Sequence, residues 1–251
     1  MKKILIAAAL LTCSSTFAIE NNDSNKELSK EFIQRQVDQN MSVGRAVKSI
    51  ISHYPEHVRT VVSTTLDLYP ERYKEVVHAA IAAEPSLTQE IVKVAIAKGV
   101  TSCPNIVETA IAAEPSYVDF VVKAAVYSTP EELEDIVRVA VTTEPDSADQ
   151  IVQTLAKSHP NKIVEIVQTA VGAVPFVGDY IVDALLAVFP EENKQEQVMT
   201  AAFKESKIES EYVRKIVESA QNAGIDNSDI REYALNAGAK EKDIDEIIED
   251  N

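Results

Sequence analysis

The chain has no tryptophan, two cysteines, four histidines and six glycines among its 251 residues. Each scarcity removes a class of function. Six scattered glycines supply neither the glycine-rich loop that cradles a phosphate nor the Gly-x-Ser-x-Gly turn of a hydrolase nucleophile, and no calcium loop of alternating acids and glycine occurs. His53 and His57 are four residues apart, but Pro55 stands between them, so they do not share the helix face that a zinc pair needs. His78 and His159 stand alone. Carboxylates are plentiful, yet among 40 acids no pair is set apart as a general acid and base. The sequence thus reads as non-catalytic, with no cofactor and no metal site.

Cationic residues are also in short supply. With 24 Lys and Arg against 40 Asp and Glu, the formal charge is −16. Nucleic acid and anionic lipid surfaces demand clustered Lys or Arg, so neither is an expected partner. The balance suits solubility, cations or a basic partner.

No apolar run approaches the roughly 20 residues that span a bilayer, so no transmembrane segment is expected. The longest, Ile4 to Leu11, follows Lys2 and Lys3 and precedes Thr16-Phe17-Ala18. A basic start, a short apolar run and a small-x-small ending are the layout of a bacterial secretory signal peptide. Residues 1–18 are read as that leader, which leaves 233 residues of charge −18 in the periplasm or outside the cell. The stretch before Cys13 resembles the lipid-attachment box of bacterial lipoproteins, although Thr12 stands where that box has Gly, Ala or Ser. A lipid anchor through Cys13 is therefore the alternative localisation. Once Cys13 is removed with the leader, Cys103 is the sole cysteine, and an apolar core must hold the fold without an intramolecular disulfide.

What the sequence does have is a period. Proline occurs at 55, 70, 85, 115, 130, 145, 160, 175 and 190, every gap being 15 residues except the one of 30 after Pro85. Counting from the proline position gives ten units over residues 40–189, eight of them opened by Pro. Position 7 is Ala46 in the first unit and Val or Ile in the rest, position 8 is valine in all ten, and position 12 is Ile, Leu, Val or Ala throughout. Position 4 is mostly apolar and position 11 is Ala in six units. Apolar residues at 4, 7, 8, 11 and 12 form the stripe of a helix with one buried face, whereas strands need period-two alternation. Proline is tolerated in the first turn of a helix and excluded from its interior, so each unit predicts one helix of about 11 residues, or about 16 Å. Ser86, Ser116 and Asp146, with Gln89, Asp119 and Asp149 three residues on, suggest capping boxes.

A turn of three or four residues sends the next helix back antiparallel, pairing units into about five 30-residue hairpins. Isoleucine-Ala-Ala-Glu-Pro-Ser at 81–86 recurs at 111–116, and a looser version follows at 141–146. One hairpin cannot bury its stripe, but stacked hairpins share a core, so the fold class expected is an all-α solenoid. The pattern resembles the short-unit helical repeat class to which tetratricopeptide and HEAT arrays belong. That resemblance is architectural only, because the tetratricopeptide Trp, Gly and Tyr positions are missing.

Residues 19–29 are polar and read as a flexible segment. Residues 30–189 then form the array, with a cap helix at its start, and residues 190–251 a C-terminal helical cap. In that cap Gly224 and Gly238 replace proline as punctuation. Helices are expected near 192–204, 210–222, 228–236 and 241–249.

Three places stand out as candidate interaction features. Glu84, Glu114 and Glu144 recur on one edge, once per hairpin and about two helix widths apart, as an acidic ladder or simply as solvated turn residues. Phe176 and Val177 put bulky apolar groups where other units carry Ser, Asp or Glu, either for a partner or for cover by the C-terminal helices. Cys103 lies where Pro104 displaces the proline rule and, on this reading, delays the helix by about one turn; it is either a thiol for crosslinking two chains or a buried core residue. The resulting expectation is an exported scaffold that binds a protein, peptide or polymer partner in the bacterial envelope. The alternative is a self-associating, homo-oligomeric structural component of envelope or matrix.

Overall fold

The computed structural model of the protein describes residues 30–40, 42–206 and 211–249. The leader, Cys13 and the segment 19–29 lie outside the described residues. Fifteen α-helices follow one another, and no strand occurs among the described residues. They are α1 Lys30–Asn40, α2 Val43–His53, α3 Val58–Leu68, α4 Tyr73–Ala83, α5 Thr88–Lys98, α6 Cys103–Ala113, α7 Val118–Ser128 and α8 Leu133–Thr143. Then come α9 Ala148–Ser158, α10 Ile163–Ala173, α11 Gly178–Leu186, α12 Glu192–Glu205, α13 Glu211–Asn222, α14 Asn227–Asn236 and α15 Glu241–Glu249.

The joint between units is built by proline, though not as the N1 residue of the α-helix. In eight joints Pro and the two residues after it form a separate 3-10 turn, and the α-helix starts at position 4. Proline disfavours the α region for the residue before it. Position 15 accordingly leaves the helix with φ between −134 and −154°. Its N–H still donates to the position-11 carbonyl, as Glu144 does to Ala140, while its own carbonyl accepts from position 3, as Glu144 does from Ser147 at 3.2 Å. Backbone groups thereby satisfy the helix ends, and the expected capping boxes do not form at α5, α7 and α9. The hydroxyls of Ser86 and Ser116 instead donate to the carboxylates of Glu84 and Glu114.

The reversal at a joint is partial. Pro160–Ala173 and Pro175–Leu186 meet at a bend of 114° rather than running back fully antiparallel. From α2 to α14 each helix packs most extensively against a helix two along, which sorts the array into an even row and an odd row with the core between them, while the terminal α1 and α15 lean more on their chain neighbours α2 and α14. Several bonds within one row link a residue to the one 31 positions on, and others, such as Thr154 to Asp119, span 35. The Gly44 N–H donates to Glu75 at 2.8 Å, Arg59 pairs with Glu90 at 2.6 Å, Lys98 pairs with Asp67, and the Gln153 amide donates to the Ala184 carbonyl. Because offsets of 31 to 35 recur at both ends of the helices, neighbours in a row run parallel.

All twenty residues at positions 7 and 8 are fully buried, from Ala46 and Val47 to Ile181 and Val182. The solenoid expected from the period is thus the fold observed, with a continuous aliphatic core. The row packing runs past Pro190: α12 lies on α10, α13 on α11, α14 on α12 and α15 on α13. There Gly224 and Gly238 take φ of 82 and 97°, ending their helices in the left-handed region that a side chain resists. No single helix among the described residues is long and apolar enough to cross a membrane.

Candidate functional site

With the core spent on cohesion, any recognition falls to the outward positions and the two edges where helices join. One edge gathers the joints from even to odd helices, where the ends of α2, α4, α6, α8 and α10 meet the starts of α3, α5, α7, α9 and α11. Glu84, Glu114 and Glu144 all lie on this edge, half-buried at position 15. Their parent helices α4, α6 and α8 are direct neighbours, so successive glutamates stand one helix width apart, about 8–10 Å, and not two. Phe176 and Val177 belong to the same edge, in the 3-10 turn before α11.

The neighbourhood of Phe176 is divided. Val174 is buried, Val177 is half-buried against the core, and Ile216 of α13 lies over Gly178. The Phe176 ring stays 51 % exposed. Further rings that the repeat pattern did not single out share the edge: Phe120 at 47 %, Tyr180 at 62 %, the more covered Tyr212, Tyr117 and, at its first joint, the exposed Tyr54. Phe120 and Tyr180 both occupy position 6 of odd helices, 60 residues apart, and Phe120 stacks on Tyr117 with ring centroids 5.5 Å apart. A signal for them existed in the sequence, since position 6 is otherwise polar.

The even row carries two grooves. One of about 680 Å³ crosses α8, α10 and α12 between Glu134, Arg138, Gln168 and Gly172, with Glu205 at its end. The other, about 590 Å³, crosses α2, α4 and α6 between Arg45, Lys74, His78 and Ala112. Lys74 is paired with Glu108 across the second groove at 3.7 Å. No group of three or more His, Cys, Asp or Glu side chains placed to hold a metal ion occurs among the described residues.

Cys103 is not on this edge. It opens α6 at position 4, in the same register as every other unit, so Pro104 does not delay the helix. Pro104 sits in the first turn, where its missing N–H has no intrahelical partner to lose. What this joint lacks is the 3-10 turn, replaced by Gly99 in the left-handed region at φ 63°. The thiol is 5 % exposed, and its pKa is raised above 9.0, first by burial and further by Glu132 and Glu131, against a lowering contact with Thr129. Such a thiol is a poor nucleophile. The folded protein is therefore expected to resist a thiol-titrating disulfide reagent at pH 8 for at least ten times longer than the urea-unfolded chain. Equal rates would place Cys103 at the surface. The raised pKa also sets a sign: the folded state holds this proton where the unfolded chain loses it, so stability falls as pH rises through 9.0.

Comparison with protein-family models, with curated proteins and with solved structures gives no match.

Proposed function

We propose that the protein is an exported, non-catalytic scaffold of the bacterial envelope that holds a protein or peptide partner on the outer surface of its helical array. The observation that carries this reading is the contrast between the inside and outside of the repeat. Position 8 is valine in every unit, whereas outward position 6 runs through Arg45, Glu75, Phe120, Asp135 and Tyr180. Cohesion asks for sameness from unit to unit, and individual outward residues are what a specific surface requires. Exposed rings gathered on one edge add to that, because aromatic side chains dominate binding hot spots. The leader-like first 18 residues support export.

Mass spectrometry of the full chain expressed in a bacterial host tests the first half. The expected product is periplasmic or extracellular and begins at Ile19; an intact chain in the cytoplasm would overturn export. For the second half, a tagged chain is used to capture partners from an envelope extract. Capture that is saturable and lost on filling the grooves, by Ala112→Trp with Thr169→Trp, or on altering the edge rings supports a scaffold. Capture indifferent to every surface change overturns it.

A further inference from the structure

The edge that gathers Glu84, Glu114, Glu144 and Phe176 has a charge pattern unlike the other. Its five turn segments, 54–60, 84–90, 114–120, 144–150 and 174–180, carry nine acids against one Arg and one His, Arg59 and His57, both in the first; the four segments from 84 onward contain Glu84, Glu90, Glu114, Asp119, Glu144, Asp146, Asp149 and Asp179 and no Lys, Arg or His. Of the acids in those four, only Glu90 is taken up by a cation, Arg59. At the opposite edge, the five segments 69–75, 99–105, 129–135, 159–165 and 189–195 carry nine acids interleaved with Arg72, Lys74, Lys162 and Lys194, and with His159. Of the rings on the opposite edge, Tyr69, Tyr73 and Phe189 are packed against the core and the exposed Tyr127 lies under the Lys93 ammonium, while Phe120, Phe176 and Tyr180 stand out beside the acids with no cation over them among the described residues.

Helix dipoles do not alter the sign of this surface. Negative C-terminal ends of the even helices and positive N-terminal ends of the odd helices meet there and largely cancel, leaving the carboxylates to set the potential. Flat π faces next to carboxylates attract cations twice over, by ring quadrupole and by charge. The protein already uses that contact internally, with the Lys93 ammonium 5.0 Å from the Tyr127 ring centroid, between α5 and α7.

We propose that this edge is the docking site for a basic polypeptide segment, bearing lysine or arginine, that lies across the starts of α7, α9, α11 and α13. The inference rests on the scaffold reading and names its partner. Helices of the row are spaced about 8–10 Å, and an extended chain advances about 3.3–3.6 Å per residue, so one cationic residue in three meets each helix start. About nine residues cover the distance from Phe120 to Tyr212.

The test is fluorescence anisotropy of a labelled nonapeptide with lysine at every third position, titrated with the purified protein. Saturable binding is expected, weakened at least tenfold by Phe120→Ala/Phe176→Ala/Tyr180→Ala, which leaves the net charge untouched, and similarly by Asp149→Asn/Asp179→Asn. Neutralising the opposite edge by Glu131→Gln/Glu132→Gln/Glu134→Gln is expected to change binding less than twofold. Circular dichroism confirms that each variant is folded. Equal loss with the opposite-edge variant reduces the effect to general attraction by an acidic chain and overturns the site, as does binding indifferent to the rings. A neutral oligosaccharide that binds through the same rings while the basic peptide does not would also overturn it. Partner capture that depends on the grooves alone leaves the scaffold reading standing and removes the edge from it.

Discussion

Val137→Asp is expected to lower the melting temperature by about 6–20 °C, the shift that corresponds to a loss of roughly 3–5 kcal/mol in a chain of this size. Val137 is fully buried at position 8 of α8, in the middle of the array. A carboxylate there faces the aliphatic residues of the neighbouring units and has no cation to meet, because the adjacent Arg138 points outward into the groove between α8 and α10. Either the charge stays buried and unpaired or the group takes up a proton, and both cost free energy. The second route gives a signature. Desolvation raises the folded pKa of the new Asp above its unfolded value near ~3.9, so the folded state binds the extra proton and the penalty is relieved as pH falls. Thermal melts followed at 222 nm, at pH 7 and pH 5, measure both effects. Arg138→Asp, one residue along and exposed, serves as the control and is expected to cost less than about 0.5 kcal/mol. Equal melting temperatures for the two variants would mean that position 8 does not face the core.

Position 8 is recognisable as core from the amino-acid sequence alone, and the reason is physical. Each 15-residue unit holds about three helical turns plus a joint, so the same five positions face inward in every unit and ten copies repeat the statement. Helix number, length and sidedness were legible for that cause. The joints were less so. From the sequence, proline reads as the first residue of an α-helix, and only the geometry separates a 3-10 turn of three residues from the helix behind it, because both conformations share proline's φ. The same ambiguity suggested capping boxes at Ser86, Ser116 and Asp146, where backbone carbonyls at position 15 already take the role.

The candidate surface was half legible. Period 30 drew attention to Glu84, Glu114 and Glu144, and an interruption of the polar pattern drew it to Phe176 and Val177, as two separate features. Their union on one edge required knowing that alternate joints share a side and that helices two units apart touch. Phe120 and Tyr180 went unnoticed because an aromatic residue directly before the apolar pair at positions 7 and 8 looks like core until burial shows otherwise. Cys103 shows the converse case: a conspicuous residue in an irregular joint that the fold keeps in standard register and in the core.

Removal of residues 190–251 is expected to convert a dispersed protein into one that associates or precipitates. The array has no edge of its own at Phe189. Phe203, Val198 and Met199 of α12 and Val213, Ile216 and Val217 of α13 are buried against the rows that end in α10 and α11. Burying an aliphatic or aromatic side chain is worth about 1.5–3 kcal/mol, so these six alone contribute on the order of 10 kcal/mol before conformational entropy is subtracted. Without them α10 and α11 present to water a broad apolar face that is the shape of a further repeat, and the nearest supply of such a repeat is another truncated chain. Light scattering across a range of concentrations should show rising mass for the truncated protein, together with a lower melting temperature. In the full chain Phe203→Ala isolates the energetic part, with an expected loss of about 3–5 kcal/mol and no change in mass. A truncated protein that remains monomeric and melts with the full chain would show that α12 to α15 rest on the array without completing its core.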